Sequence, residues 1–199
     1  MANLKGLAVA LLAAGRSARF GQADKLAALL GDKPLIEWAA GAGRSINAAQ
    51  HFVVMGPDFP QQYCQAGYRQ LVNDTPDRGL ASSLRIAALH AQESGASALL
   101  ILLGDMPLVR ANHLTALIAA FAEDRSRPVF SRASGGAPQP PAIFPAALFP
   151  AMGALSGESG ARALARGAAF VEAPADSLVD VDTRADLALC AQLIGTSAH

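Results

Sequence analysis

Apolar positions fall along this chain in two alternating patterns: short uninterrupted runs, and longer stretches carrying one apolar stripe. Leu7 to Leu12 is a run with the length and composition of a buried strand. Others are predicted over His51 to Met55, closed by Gly56-Pro57, and briefly at Leu71-Val72. Ala98-Leu99-Leu100-Ile101-Leu102-Leu103 is the most continuous run, as expected of a central strand covered on both faces. Between the runs, helical spacing joins Leu35, Trp38, Ala39, Ala42 and Ile46. It also joins Leu80, Leu84, Ala87, Ala88 and Ala91; Leu114, Leu117, Ile118 and Phe121; and Leu187, Cys190, Ala191 and Ile194. Asp32 is placed to cap the first of these helices, which opens at Pro34, and Trp38 reads as core because it lies on the stripe. Shorter elements are predicted as a helix over Pro60 to Ala66, a strand at Ala142 to Phe144, and helices over Pro145 to Met152 and Gly160 to Arg166. Strands alternating with helices make this an α/β chain with a mostly parallel sheet covered on both faces.

Composition narrows the class. A chain of 199 residues with 52% hydrophobic and 16% charged residues forms one globular domain, residues 1–199, with a substantial core. Sixteen basic and sixteen acidic residues cancel, so there is no footprint for a nucleic-acid duplex or an anionic membrane surface. The apolar runs are far shorter than the roughly 20 residues that span a bilayer. No basic start, long apolar run and cleavage site occur together, so the expected location is the cytoplasm. Cys64 and Cys190 have no metal-ligand spacing; Cys190 is expected in the core and Cys64 as an incidental thiol.

The candidate chemistry sits where the first strand ends, at Leu12-Ala13-Ala14-Gly15-Arg16-Ser17-Ala18-Arg19-Phe20-Gly21-Gln22-Ala23-Asp24-Lys25. Small residues let a ligand lie against the backbone, where successive N–H groups form an anion nest. Arg19 and Lys25 add positive charge at the strand end, where ligands collect in open α/β sheets. A polyphosphate suits such a loop; a solvated basic turn has the same composition. The loop has neither the Walker A lysine-hydroxyl ending nor a Gly-x-Gly-x-x-Gly, which speaks against P-loop NTPases and dinucleotide-dependent oxidoreductases.

Further along, Asn73 precedes Gly79-Leu80-Ala81-Ser82-Ser83, and both serines fall in the first turn of a helix, where unpaired N–H groups favour anions. A loop plus a Ser-rich helix start also accounts for them, and sequence physics alone slightly prefers it. Gly104-Asp105-Met106-Pro107 puts a carboxylate at the tip of the central strand, cut off by Pro107 from the helix it would otherwise cap. Mg²⁺ commonly uses one or two such carboxylates plus phosphate oxygens. Val179-Asp180-Val181-Asp182-Thr183 alternates like a short strand with both aspartates on one face, and Thr183-Arg184-Ala185-Asp186 has the form of a capping box. Ser131 to Pro141 is rich in Gly, Pro and Ser and reads as a loop within the domain.

Together these segments resemble the MobA-like nucleotidyltransferases across nearly the whole chain. The resemblance implies a single-domain, Rossmann-like three-layer sandwich of the nucleotide-diphospho-sugar transferase type. It also implies that Leu12, Ala13, Ala14, Gly15, Arg16, Ser17 and Lys25 wrap a nucleoside triphosphate, with Asn73, Gly79, Ser82 and Ser83 near its base and ribose. Arg19, Lys25 and Asp105 become the catalytic residues, and Asp105 with Asp182 the ligands of Mg²⁺. Leu-Ala-Ala-Gly and Gly-x-Ser-Ser-Leu look like the molybdenum cofactor cytidylyltransferase branch. That implies transfer of CMP from CTP to the molybdopterin phosphate, with a molybdoenzyme receiving the product. Gly157-Glu158-Ser159-Gly160-Ala161-Arg162 resembles that branch's Gly-Asp-x-Gly-Ala-Arg, with Glu158 replacing aspartate. Asp24 stands where that branch often has asparagine, and Gln139-Pro140-Pro141 where it has Gly-His-Pro. A GTP-dependent guanylyltransferase or a transferase for another phosphorylated acceptor is the rival reading. A non-catalytic carrier of the molybdenum cofactor is a further one.

Overall fold

The computed structural model describes residues 4–15, 20, 24–59, 66–156 and 160–196. The uninterrupted runs become the middle of a 7-stranded sheet. In chain order its strands are β1 (Leu7–Ala13), β4 (Gln50–Met55), β5 (Arg69–Val72), β6 (Ala98–Leu103), β7 (Val129–Arg132), β8 (Gln139–Pro145) and β9 (Ala169–Glu172). A separate hairpin pairs β2 (Leu29–Leu30) with β3 (Lys33–Pro34). The sheet order is β5-β4-β1-β6-β8-β7-β9. Every neighbouring pair is parallel except the two that β8 makes, with β6 and β7. One reversed strand therefore sits in an otherwise parallel sheet.

The helices are α1 (Leu35–Arg44), α2 (Leu80–Glu93), α3 (Ala111–Glu123), the short α4 (Phe149–Gly153) and α5 (Arg184–Thr196). They cover both faces, and β1 shows how. Leu7, Val9, Leu11 and Ala13 share a core with Leu35 and Ile36 of α1, Leu114 and Phe121 of α3, and Cys190 of α5. Ala8, Ala10 and Leu12 point the other way, toward Leu84, Ala87, Ala88 and Ala91 of α2 and Phe149 and Met152 of α4. Period-2 alternation in the strand thus meets one stripe from each helix layer. Each fully buried leucine contributes about 1.5–3 kcal/mol over an exposed one, which makes β1 and β6 the most firmly held part of the sheet. On α1, the Tyr68 hydroxyl donates to the Ala40 carbonyl at 3.0 Å, and a Cβ on Gly43 would collide with that hydroxyl.

Several expectations need correction. Asp32 does not cap α1. Pro34 occupies the cap position without a side-chain hydrogen bond, because Gly31-Asp32 form the tight turn of the β2–β3 hairpin. That hairpin and β9 carry too few residues to show a period in the sequence. Val179 to Thr183 is not a strand: it makes no strand ladder, the Val181 N–H bonding the Asp105 carbonyl at 2.9 Å and the Thr183 carbonyl accepting from the Leu187 N–H of α5 at 3.2 Å. The loop expected over Ser131 to Pro141 shrinks to residues 133–138, its two ends being drawn into β7 and β8. The helix expected over Pro145 to Met152 is a 3₁₀ turn at Ala146–Leu148 followed by α4, and Gly160 to Leu164 is 3₁₀ as well. Ala191 lies exposed on α5, off the stripe that Cys190 anchors. The helix expected over Pro60 to Ala66, with Cys64 in it, falls at residues 60–65 outside the described residues.

Candidate active site

The order β4-β1-β6 places a switch point at β1: the chain leaves it in one direction toward β4 and later returns on its other side through β6. Ligands in open α/β sheets bind in the crevice outside the carboxyl ends of the strands at such a point. Leu12, Ala13, Ala14 and Gly15 leave β1 there, and Gly104 and Asp105 leave β6 beside them, with the Gly104 N–H donating to the Leu12 carbonyl at 2.9 Å. A Cβ on Gly104 would meet both that carbonyl and Leu26 Cδ2 at 3.4 Å, so the two strand ends lie close together. Among the described residues nothing lies within 4 Å of a Cβ placed on Gly15. Arg16, Ser17 and Arg19 lie outside the described residues, as does Glu158.

Lys25 sits on a one-turn 3₁₀ helix, Lys25–Ala27, whose start is capped by Asp24: Oδ1 accepts from the Leu26 N–H at 2.9 Å. The asparagine common at this position in the cytidylyltransferase branch has the same carbonyl acceptor. From this turn the Lys25 ammonium reaches Asp105 Oδ2 at 2.8 Å and Asp182 Oδ1 at 2.9 Å. Its side chain is 8% exposed, against 22% for Asp105 and 47% for Asp182. Burial alone would lower its pKa, but the charges and hydrogen bonds of Asp105 and Asp182 more than offset that and raise it. Lys25 is therefore a firmly protonated bridge between two carboxylates far apart in sequence.

Asp180 joins them. Loss of solvent around its carboxyl, then repulsion from Asp105 and Asp182, pushes it up to about 6, with Lys25 pulling the other way. The residue as a whole remains exposed, so water screens part of this effect. Among the described residues, three carboxylates and one ammonium gather at the crevice, an oxygen-rich donor set that suits a hard divalent cation. Among the described residues no three histidine, cysteine or carboxylate side chains converge to hold a metal ion alone. A cation at Asp105 and Asp182 therefore needs outside oxygens, as water or phosphates supply. Asp180 was missed as a site residue; its alternation with Asp182 around Val181 was the available signal.

Asn73 is fully buried at the end of β5. Its Nδ2 donates to Ser82 Oγ at 2.8 Å and Ser83 Oγ at 3.0 Å, and its Oδ1 accepts from the Thr75 N–H at 3.0 Å. Ser82 Oγ in turn donates to the Gly79 carbonyl at 2.8 Å. Both serines are buried, so these side chains, expected near the base and ribose, are spent on one another and fix the start of α2. What they leave for a ligand is backbone N–H groups at the helix start. Gly79, with φ 74° and ψ −170°, occupies a conformation essentially reserved for glycine. Asp182 and Thr183 do form the expected cap: Thr183 Oγ1 donates to Asp186 Oδ2 at 2.8 Å, and the Asp186 N–H donates back to Thr183 Oγ1 at 3.2 Å.

Two cavities flank this cluster, and neither has Lys25, Asp105 or Asp182 in its wall. The smaller, about 520 Å³, joins Leu80 at the start of α2 with Gln139 and Pro140 of β8 and Gly160 to Ala163. The larger, about 670 Å³, lies on the α1, α3 and α5 side among Trp38, His113 and Leu193. Trp38 is half-buried, as its place on the stripe requires, with Nε1 donating to the Leu30 carbonyl at 3.0 Å and Lys33 Nζ 3.9 Å over its ring. It also forms part of that cavity wall.

Comparison with known proteins bears on the family and the fold. Residues 9–175 match the family described as the MobA-like NTP transferase domain. The chain is 30% identical over 188 residues to "Purine catabolism protein PucB" of Bacillus subtilis (strain 168), covering 86% of this chain and 89% of that one. Among solved structures, the manganese complex of Rv0371C from Mycobacterium tuberculosis H37Rv superposes with a TM-score of 0.77 at 20% identity, covering 94% of this chain and 99% of that one. A CMP:2-keto-3-deoxy-manno-octonic acid synthetase complexed with CTP gives 0.76 at 15% identity, covering 97% and 100%. At these identities the two structures speak for the fold alone.

Proposed function

The chain belongs to the MobA-like NTP transferase family, and from that premise we propose that it transfers CMP from CTP to the terminal phosphate of the molybdopterin cofactor, releasing pyrophosphate. The observation that carries this reading is the Lys25 bridge between Asp105 and Asp182 at the β1–β6 crevice. In nucleotidyl transfer an acceptor oxygen forms a bond to the α-phosphorus, while the bond from that phosphorus to the β-phosphate oxygen breaks and pyrophosphate leaves with the electron pair. Such chemistry asks the protein for position and charge neutralisation rather than for a nucleophile. A phosphate acceptor is already ionised, so no general base is required.

In this reading the backbone from Leu12 to Gly15 and the start of α2 hold the nucleotide, with Arg16 and Ser17 on the same loop. Lys25 stabilises charge on the α-phosphate or the acceptor phosphate, and Arg19 is assigned to stabilise the leaving pyrophosphate. Asp105 and Asp182 would hold Mg²⁺, which would supply neutralisation of the charge that develops on the phosphates. The cavity of about 520 Å³ bounded by Leu80, Gln139 and Arg162 is in the size range of small-molecule sites and is our candidate for the acceptor. A molybdoenzyme is the proposed recipient of the product, and a cytoplasmic location fits the reading. Among the described residues no helix is long and apolar enough to cross a membrane.

One observation favours a second reading. Gln139 and Pro140, in the wall of that cavity, stand where the cytidylyltransferase branch has Gly-His, and Gln-Pro also occurs in the guanylyl branch. Pyrophosphate release with Mg²⁺ and molybdopterin, compared across CTP, GTP, ATP and UTP, decides between them. Release with CTP alone is expected. Release with GTP moves the protein to the sister branch. Nucleotide binding without release removes molybdopterin as the acceptor, and absence of nucleotide binding leaves the carrier reading.

A further inference from the structure

Lys25 holds two carboxylates at once, and this is a peculiar place for a residue expected to meet phosphate. Its ammonium lies 2.8 Å from Asp105 Oδ2 and 2.9 Å from Asp182 Oδ1, occupying the ground between the two aspartates proposed as metal ligands. A divalent cation coordinated by carboxylates sits about 2.0–2.1 Å from their oxygens and draws on the same lone pairs. Two cations cannot share that ground without direct repulsion, least of all where one is a side chain 8% exposed and poorly screened by water. We propose that Lys25 is the resident counter-ion of the Asp105–Asp182 pair. It holds Asp105 and Asp182 together until a divalent cation displaces it, and displacement delivers its ammonium to the phosphates.

Three features of the chain support the exchange. The lysine is carried by a turn of three residues, Lys25–Ala27, capped by Asp24 and closed by the Ala27 and Ala28 N–H groups, so the flexible four-carbon side chain rather than the turn supplies the movement. Asp182 is 47% exposed, so a hydrated cation can reach the pair from solvent. Asp180 adds a further carboxylate close enough to be repelled by both, which strengthens the pull of the cluster on a divalent cation. Lys25 and the cation then compete for one pair of ligands. A nucleotide that offers Lys25 new oxygens removes the competition, and by linkage metal and nucleotide each favour the other's binding. The phosphate half of this proposal rests on the nucleotidyl transfer reading; the competition for Asp105 and Asp182 does not.

Mn²⁺ binding to the nucleotide-free, full-length protein tests the competition directly, by electron paramagnetic resonance or calorimetry. Lys25→Met keeps the aliphatic stem and removes the charge; it is expected to bind Mn²⁺ at least about tenfold more tightly than wild type, within the range usual for coupled sites. Lys25→Arg, which restores a cation, is expected to return affinity toward wild type. Equal or weaker binding by Lys25→Met overturns the proposal, and so does a failure of both proteins to bind Mn²⁺.

A second readout needs no variant. Lys5, Lys25 and Lys33 are the lysines of the chain, and acetylation of Lys25 relative to the other two is expected to rise several-fold when Mn²⁺ is added. Unchanged labelling at saturating Mn²⁺ means that Lys25 stays on the aspartates, and the proposal falls. If the Mn²⁺ results hold while transfer to molybdopterin is absent, the functional reading fails and the exchange survives. If transfer proceeds with no gain in Mn²⁺ affinity, the reverse is true.

Discussion

Replacing Asn73 by alanine separates a residue that builds the nucleotide site from one that touches the nucleotide. The side chain is fully buried and spends both Nδ2 hydrogens on Ser82 and Ser83 and its oxygen on Thr75. In Asn73→Ala, Ser82 keeps its bond to the Gly79 carbonyl, so it is not orphaned. Ser83 Oγ and the Thr75 N–H lose their partners. An unsatisfied buried polar group costs about 1–3 kcal/mol, and Thr75 is only half-buried, so water recovers part of its loss. The sum is about 2–4 kcal/mol. For a chain of this size each kcal/mol shifts Tm by about 2–4 °C, which predicts a fall of roughly 5–15 °C in thermal unfolding. CTP affinity, measured below the new transition by calorimetry, should weaken because the start of α2 is no longer pinned. A variant that keeps its Tm and still loses CTP binding would refute this reasoning, because the Asn73 amide would then have to meet the nucleotide itself.

Other substitutions probe separate parts. Gly79→Ala forces a side chain into φ 74°, ψ −170° and should cost about 1–3 kcal/mol, read by urea denaturation; an unchanged midpoint contradicts the assigned backbone strain. Thr183→Ala removes the cap of α5 and should cost about 1 kcal/mol, lowering Tm by about 2–4 °C. The Thr183 hydroxyl and backbone N–H hold the Asp186 carboxyl below its usual 3.8. Its folded pKa is depressed, so this stabilisation is complete above pH 3.8 and is lost as pH falls through the folded value. The gap between wild type and Thr183→Ala should therefore narrow in acid; a gap that widens below pH 3.8 contradicts the assignment. Lys25→Ala should cut transfer severely in a steady-state pyrophosphate assay, and wild-type turnover by this variant removes the phosphate role of the loop.

The parts of the fold that were legible in the sequence are those where one period runs long enough to be seen. Leu7 to Leu12 and Ala98 to Leu103 read directly as the two central strands, because strands buried on both faces leave no polar positions to interrupt them. The stripes on α2 and α3 were equally plain. The β2–β3 hairpin, with strands of two residues each, has no period at all, and Asp32 looked like a helix cap because its turn lies just before α1. β7 and the start of β8 were hidden by Ser131, Pro140 and Pro141, residues that mark loops in most contexts. Ser131 is buried in β7, where its hydroxyl donates to the Pro141 carbonyl at 2.6 Å.

The site shows the same division. That Asp105 belongs to the crevice follows from a carboxylate at the tip of a continuous apolar strand. The meeting of Lys25 with Asp105 and Asp182, residues 80 and 157 positions away, depends on sheet order and left no trace in the sequence beyond the family resemblance. The inward turn of Asn73, Ser82 and Ser83 was likewise invisible, since a buried serine and a ligand-facing one have the same neighbours in sequence.

The most direct test of the transfer site follows the α-phosphorus itself. CTP labelled at that atom is incubated with molybdopterin and Mg²⁺, using wild type and Asp105→Ala. The variant is checked by circular dichroism for retention of its fold, which is expected because the Val181 N–H bonds the Asp105 backbone carbonyl rather than its side chain. Label should appear on the pterin phosphate with wild type, and at least about 10²-fold more slowly with the folded variant, the scale for losing a group that stabilises transition-state charge. Equal transfer by both proteins would contradict the assignment of the chemistry to the Lys25, Asp105 and Asp182 cluster.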